Sequence, residues 1–151
     1  MSRKRFRWVV TAVPALALTA AWLVRGLIVV TVAGPSMEPA HRHGDRLLAW
    51  RRRRPAVGRV VVVEIPGTGP SSAGDTGDLA DRYWMIKRVA AVPGDPVPRE
   101  RVPALSDVPE ERVPSGRLVL LGDNSEFSRD SRRMGYFAAD RVLGTVLCRL
   151  W

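Results

Sequence analysis

Lys87 has the strongest case in this chain for acid–base chemistry. The 151-residue sequence contains 22 arginines and only two lysines, and Lys87 stands in the apolar run Tyr-Trp-Met-Ile-Lys-Arg-Val-Ala-Ala-Val at residues 83–92. Arginine stays charged at any accessible pH, whereas burial can lower the pKa of a lysine amine until it is neutral and able to take a proton. The sequence therefore predicts that Lys87 is a general base. The alternative is a lysine on the polar face of an edge strand, with its ammonium in water.

Ser36 is the matching candidate nucleophile. It lies in the segment Gly-Pro-Ser-Met-Glu-Pro at residues 34–39, directly after a predicted strand. The flanking glycine and prolines permit a backbone that projects the hydroxyl into a cleft and leaves the Ser36 amide free to meet an oxyanion. A serine hydroxyl must lose its proton as it attacks a carbonyl, and a neutral lysine can accept that proton. Ser36 is also compatible with an ordinary turn.

Rival chemistries have less support. The only histidines, His41 and His43, precede Asp45 in a His-x-His-x-Asp pattern, but no third histidine or nearby cysteine completes a set of metal ligands. We therefore predict no metal and no other cofactor. Five residues within one turn are also too few to align the Ser36 hydroxyl with the His41 imidazole as in a Ser-His-Asp triad. Cys148, the single cysteine, lies in an apolar run and is predicted to be a small core residue.

The N-terminal segment predicts a membrane anchor. A basic stretch at residues 1–7 is followed by 17 residues, 8–24, without a charge. As a helix this segment is about 25 Å long, and Arg7 and Arg25 can reach outward to the interfaces of a hydrocarbon core of about 30 Å. The excess of basic residues before the segment keeps the N-terminus in the cytoplasm and the remainder outside. The alternative is a cleaved signal peptide, for which Ala-Leu-Ala at 15–17 offers a site.

The rest of the chain predicts a mainly β domain. Short β-branched runs punctuated by Gly and Pro indicate strands at 27–32, 46–50, 60–65, 83–92, 117–121 and 142–149. Residues 67–78 lack periodicity and predict a flexible surface loop, and the proline-rich residues 93–114 predict an irregular excursion over the sheet. We therefore divide the chain into a basic tail with a transmembrane anchor, residues 1–25, and a β-rich domain, residues 26–151.

Composition limits the class of protein. A chain of 151 residues that is 46% apolar suits one small domain with an appendage. The formal net charge of +9 would suit nucleic acid or an anionic membrane, but the arginines are spread along the whole chain, so we predict no nucleic-acid partner. The run Arg-Arg-Arg-Arg at 51–54 predicts a solvated turn, with contact to anionic headgroups as the alternative. The oligomeric state stays open.

Taken in order, these motifs resemble those of the type I signal peptidases, Ser/Lys proteases that release exported proteins at the outer face of the membrane. The likeness covers nearly the whole chain. After the anchor come Ser-Met-x-Pro at 36–39, Gly-Asp at 44–45, Lys-Arg-Val-x-x-x-Pro-Gly-Asp at 87–95, Gly-Asp-Asn at 122–124 and Ser-x-Asp-Ser-Arg at 128–132.

The resemblance implies a catalytic core of coiled antiparallel β-sheets behind one transmembrane helix. It implies that Ser36 is the nucleophile, that Lys87 is the general base, and that the Ser128 hydroxyl hydrogen-bonds to the lysine amine and aims it. It further implies ion pairs that shape the site, Asp130 with Arg132 and Asp123 with Arg88. The implied substrates are preproteins with small residues at the first and third positions before the cut. An extended substrate would pair with an exposed strand edge, for which we choose residues 27–32.

The sequence also departs from the family pattern. Gly34 stands where many members have a serine whose hydroxyl helps to hold the oxyanion, so the oxyanion region here, Gly34 and Ser36, would depend mainly on the Ser36 amide. Ala40 and His41 replace the usual Thr-Leu, and Arg59 replaces a common aspartate. Two alternatives stay open: a dedicated maturation protease of the same fold that acts on one precursor, and a membrane-tethered β-module without catalysis.

Overall fold

The computed structural model describes residues 25–51, 53–64 and 84–151. They form seven strands, which are β1 Leu27–Thr31, β2 Arg46–Trp50, β3 Val60–Glu64, β4 Trp84–Ala91, β5 Arg117–Leu121, β6 Phe137–Ala138 and β7 Val142–Arg149. The helical elements of these residues are short: one α-helix, α1 Ser131–Met134, and three 3-10 turns, Arg99–Arg101, Pro103–Leu105 and Ala139–Arg141. The prediction of a mainly β domain is confirmed.

The strands form one sheet in the order β1-β2-β7-β3-β4-β5-β6, and every neighbouring pair is antiparallel. The sheet curls into a half-barrel. Strand β1 lies at one edge, as predicted, and β7, the last strand in the chain, lies in the interior between β2 and β3. The curl brings the turn after β1 against β4, although β2, β7 and β3 stand between these strands in the sheet.

Burial follows the two-residue period of the strands. In β1, Leu27 and Val29 face solvent, while Ile28 and Val30 pack against a core cluster that includes Met37 and Leu47. Strand β3 is different, because its four valines are all buried. Such a strand is covered on both faces, and it reads in sequence as a continuous apolar run. The backbone that supports Lys87 is therefore paired with a strand that is buried at four of its five residues.

The six predicted strands agree with the observed ones to within one residue at each end that the structure describes. Prediction missed the two-residue strand β6 and the one-turn helix α1, which are too short to show a period. The proline-rich excursion contains two of the 3-10 turns and one isolated bridge, between Pro96 and Arg112. The predicted loop at 67–78 lies outside the described residues.

The prediction for Cys148 was wrong, because this side chain is exposed. Strand β7 is buried only in its middle, at residues 144–146, and its last residues run beyond the core. The predicted anchor at residues 8–24 lies outside the described part of the chain. Within the part that is described, no helix has the length and apolar character needed to cross a bilayer.

Candidate active site

The turn that follows β1 positions Ser36. Gly34 adopts φ +83°, a left-handed conformation that favours glycine, and it redirects the chain just before the serine. Met37, only 1% exposed, inserts into the core and anchors the turn from the other side. The Ser36 carbonyl accepts a hydrogen bond from the Asn124 amide at 3.1 Å, which ties the turn to the polar loop after β5. The Ser36 backbone is thus held from two directions.

Strand β4 positions Lys87. Lys87 pairs with Val61 of β3, and its side chain is 2% exposed. Its Nζ lies 3.0 Å from the Ser36 Oγ, although the two residues are 51 positions apart in sequence. This separation is within the range for direct proton transfer between a nucleophile and a base. The structure therefore brings Ser36 and Lys87 together, and it excludes the alternative of a solvent-exposed lysine.

Burial lowers the pKa of Lys87 below its ordinary value of 10.5. The carboxylates of Asp130 and Asp123 act in the opposite direction, because negative charge favours the ammonium. Desolvation is the larger effect, and the amine is therefore easier to deprotonate than a lysine in water.

Arg88, the next residue in β4, forms an ion pair with Asp123. Its Nε and Nη2 donate to the two carboxylate oxygens at 2.8 and 2.6 Å, and its Nη1 donates to the Gly58 carbonyl at 2.8 Å. The paired Asp123 carboxylate raises the pKa of Arg88 still further. Because neighbouring residues of a strand point to opposite faces, Lys87 faces Ser36 while Arg88 clamps the loop that carries Asp123.

Asp130 is fully buried and organises the same loop. One carboxylate oxygen accepts from the Gly122 amide at 2.8 Å and from Arg132 Nη1 at 2.7 Å, and the other accepts from the Arg132 amide at 3.0 Å. The last of these bonds caps helix α1. Both ion pairs implied by the family resemblance are therefore present, Asp130 with Arg132 and Asp123 with Arg88.

Gly122 is the point of closest approach between three segments. A Cβ on this residue would lie 2.6 Å from the Ser128 Cβ and 2.7 Å from the Ser36 carbonyl oxygen, distances that real side chains do not tolerate. Only glycine lets the loop after β5 come this close to the turn that carries Ser36. Sequence reasoning placed Gly122 in a motif without seeing this contact, which depends on tertiary packing.

Ser128 is buried beside this contact, but the expected hydrogen bond from Ser128 to Lys87 is not formed. The Ser128 Oγ has no hydrogen-bond partner within the described residues. A buried hydroxyl without a partner is uncommon and costs free energy. Ser128 therefore lies near the turn that carries Ser36, and its hydroxyl is available for a new hydrogen bond.

In the oxyanion region, the amides of Gly34 and Ser36 differ in their hydrogen bonding. Gly34 has no side chain to donate, and its amide donates to His43 Nδ1 at 3.2 Å. The Ser36 amide, in contrast, donates to no other residue in the described ranges. It is a free backbone donor next to the Ser36 Oγ. Sequence reasoning missed the contact of His43 with Gly34, because the two residues are nine positions apart and no motif links them.

A cleft of about 280 Å³ opens in front of Ser36 and Lys87. It lies between the end of β1 and the first half of β4, and its apolar walls are Val30, Val32, Met37, Val62, Trp84, Met85 and Ile86. Among the strands of residues 25–51, 53–64 and 84–151, none lies beside the outer edge of β1. The cleft therefore offers an apolar floor and a strand edge next to the serine hydroxyl.

The two histidines take separate roles in the described structure. His43 accepts from Gly34, whereas His41 Nδ1 is buried without a partner in the described ranges. Burial lowers the pKa of His41, and the Arg88 cation acts in the same direction. Across residues 25–51, 53–64 and 84–151, no three His, Cys, Asp or Glu side chains are grouped closely enough to hold a metal ion.

The chain is similar in sequence to known proteins of one family. A family model described as "Signal peptidase, peptidase S26" matches residues 5–102 and 99–151. Signal peptidase IB of Staphylococcus aureus strain Mu50 is 25% identical over 179 aligned residues, which cover 100% of this chain and 92% of that protein. The mitochondrial ATP-independent inner membrane protease subunit 1b of Arabidopsis thaliana is 35% identical over 124 residues, covering 78% of this chain and 66% of that protein. The chain belongs to the signal peptidase family, peptidase S26.

Proposed function

We propose that this protein is a serine endopeptidase with a Ser/Lys dyad that cleaves signal peptides from exported preproteins. The observation that carries the proposal is the 3.0 Å separation between Ser36 Oγ and Lys87 Nζ, with the lysine 2% exposed. An amine in this position can act as a base only when it is neutral, and burial favours the neutral form. Membership of a peptidase family supports the reaction class.

The first half of the reaction forms an acyl-enzyme. Ser36 Oγ bonds to the scissile carbonyl carbon as its proton passes to Lys87 Nζ, and the carbonyl oxygen becomes an oxyanion that accepts a hydrogen bond from the Ser36 amide. When the tetrahedral intermediate collapses, the carbon–nitrogen bond breaks. The proton on Nζ then moves to the departing amine.

The second half regenerates the enzyme. Lys87, neutral again, takes a proton from water as the water oxygen attacks the acyl carbon, and the proton returns to Ser36 Oγ as the ester bond breaks. Ser128 would aim the amine during these steps. Its unused hydroxyl supports that role, because catalytic hydrogen bonds are often long in the free enzyme and tighten only with substrate bound.

The shape of the cleft supports an extended peptide as substrate. The edge of β1 can pair with a peptide backbone, and alternate side chains of that peptide would then enter the apolar cleft floor. We expect small side chains at the first and third positions before the cut, as the family resemblance implies. We further propose that residues 8–24 anchor the protein in the cell membrane by a single pass, with the N-terminus in the cytoplasm and the catalytic domain outside.

The test is cleavage of a preprotein with Ala at both of those positions by the detergent-solubilised full chain. We expect cleavage at that site by the wild type, loss of detectable cleavage in Ser36→Ala, and full activity in Ser115→Ala, which removes an exposed hydroxyl from a loop. Cleavage by Ser36→Ala at the wild-type rate would remove the nucleophile from the proposal.

A dedicated maturation protease is a second candidate. It is favoured by the 35% identity to a protein whose name describes an inner membrane protease. A panel of unrelated preproteins separates the two functions. Cleavage of most of the panel indicates a general signal peptidase, and cleavage of one member alone indicates a dedicated protease. If neither the wild type nor Ser36→Ala cleaves any precursor, the result would support the non-catalytic β-module.

A further inference from the structure

His43 holds the segment that leads into the nucleophile. Beyond the last pair of β1 and β2, Val32 donates to the Asp45 carbonyl at 2.9 Å and accepts from the Gly44 amide at 2.9 Å. The next bond outward is the one from the Gly34 amide to His43 Nδ1, at 3.2 Å. An imidazole nitrogen here takes the place of the backbone carbonyl that would continue a strand ladder.

This bond is the last one along the chain before the turn begins. Gly34, at φ +83°, bends the backbone immediately after it, and Ser36 follows two residues later. A shift of the Gly34 peptide would therefore change the direction of the Ser36 hydroxyl relative to Lys87. A misplacement of about 1 Å at a reacting group can cost on the order of 100-fold in rate.

We propose that His43 is a positioning residue that sets the orientation of Ser36 through Gly34. The proposal rests on the proposed function, because it takes Ser36 as the nucleophile. His43 touches no reacting atom. Its imidazole must present an unprotonated Nδ1 to accept from the Gly34 amide, with the ring proton on Nε2. In exchange, the Gly34 amide is withdrawn from the oxyanion region, which leaves the Ser36 amide as the donor there.

The geometry offers a matched set of substitutions. The Oδ1 of asparagine lies close to the place of Nδ1, so His43→Asn keeps an acceptor for the Gly34 amide. The carbonyl of His43→Gln lies one bond farther from the backbone, near the place of Nε2, and His43→Ala has no acceptor. Because His43 is exposed, none of the three changes disturbs the core.

Amide hydrogen exchange provides a readout that is independent of activity. We expect the Gly34 amide to exchange about tenfold faster in His43→Ala and His43→Gln than in the wild type, and near the wild-type rate in His43→Asn. Equal exchange in all four proteins would show that the bond does not hold Gly34 and would overturn the proposal.

Steady-state cleavage of a peptide substrate provides the second readout. We expect kcat to fall about fivefold in His43→Ala and His43→Gln, with KM within about twofold of the wild type, and kcat to recover in His43→Asn. Full activity of His43→Ala, or equal kcat for the Asn and Gln variants, would overturn the proposal. Ser36→Ala is assayed in parallel, because its cleavage activity tests the proposed function. The Gly34 exchange rates test the role of His43 whether or not Ser36 is the nucleophile.

Discussion

Replacing Lys87 by arginine tests whether a neutral amine is the base. The Lys87 Nζ lies 3.0 Å from Ser36 Oγ, and Lys87 is 2% exposed. General-base catalysis by one positioned group contributes about 10²- to 10⁴-fold, which corresponds to about 3–5 kcal/mol of transition-state stabilisation. A guanidinium stays protonated, so Lys87→Arg forfeits that whole contribution and puts a permanent positive charge in the buried site.

Lys87→Met separates chemistry from packing. Methionine has a similar length and no nitrogen, so it fills the same space without leaving a charge in the buried site. We expect both variants to lose about 10²- to 10⁴-fold in kcat/KM. We also expect Lys87→Met to unfold at or above the wild-type temperature, because it removes the cost of burying a polar amine. Arg59→Lys, a conservative change at an exposed position before β3, is the control.

The assay is cleavage of a fluorogenic signal-peptide substrate at several enzyme concentrations, together with thermal unfolding of each variant. A folded Lys87→Arg protein with more than about a tenth of the wild-type kcat/KM would refute the reasoning, because an arginine cannot accept the serine proton. Equal loss in both variants with intact unfolding transitions is the expected result. If Lys87→Arg alone fails to fold, the loss of kcat/KM in Lys87→Met shows whether the amine is needed for cleavage.

Three further predictions concern the same site. Burial lowers the pKa of Lys87 below 10.5, and the base must be neutral, so kcat/KM should rise with pH through the lowered pKa and then level off. A profile that is flat from about pH 6 to 9 would contradict a titrating lysine. Gly122→Ala should lower kcat/KM at least about tenfold, because its Cβ would lie 2.7 Å from the Ser36 carbonyl oxygen and force the turn aside; unchanged kinetics would mean that the loop gives way freely. Asp130→Asn should lower the free energy of unfolding by about 2–3 kcal/mol, measured by urea denaturation with the exposed Asp140→Asn as control, because it weakens a buried ion pair and a helix cap together; equal stability of the two variants would contradict this.

The strands were predictable because their residues carry the signal locally. The four valines of β3 and the alternation in β1 each report burial on a scale of a few residues. Cys148 was misjudged for the same reason, since apolar neighbours in sequence do not reveal where a strand runs past its core. The one-turn helix α1 depends on its Asp130 cap rather than on any period.

Ser36 and Lys87 could be singled out from their residue types, but their surroundings could not be predicted. A lysine within an apolar strand of an arginine-rich chain and a serine between prolines suggest their chemistry directly. The contact of Gly122 with Ser36 and the bond from Gly34 to His43 join segments that have no shared pattern. The orientation of Ser128 likewise depends on how its loop packs, and the hydrogen bond implied by resemblance is absent from the free structure.

The interior position of β7 determines when Ser36 and Lys87 can come together during synthesis. Strands β2 and β3 meet only through β7, which is translated after every other strand. Until residues 142–149 leave the ribosome, the hairpin that carries the serine and the hairpin that carries the lysine have no common sheet. In a nascent chain, Ser36 and Lys87 would therefore not be held together before β7 is inserted.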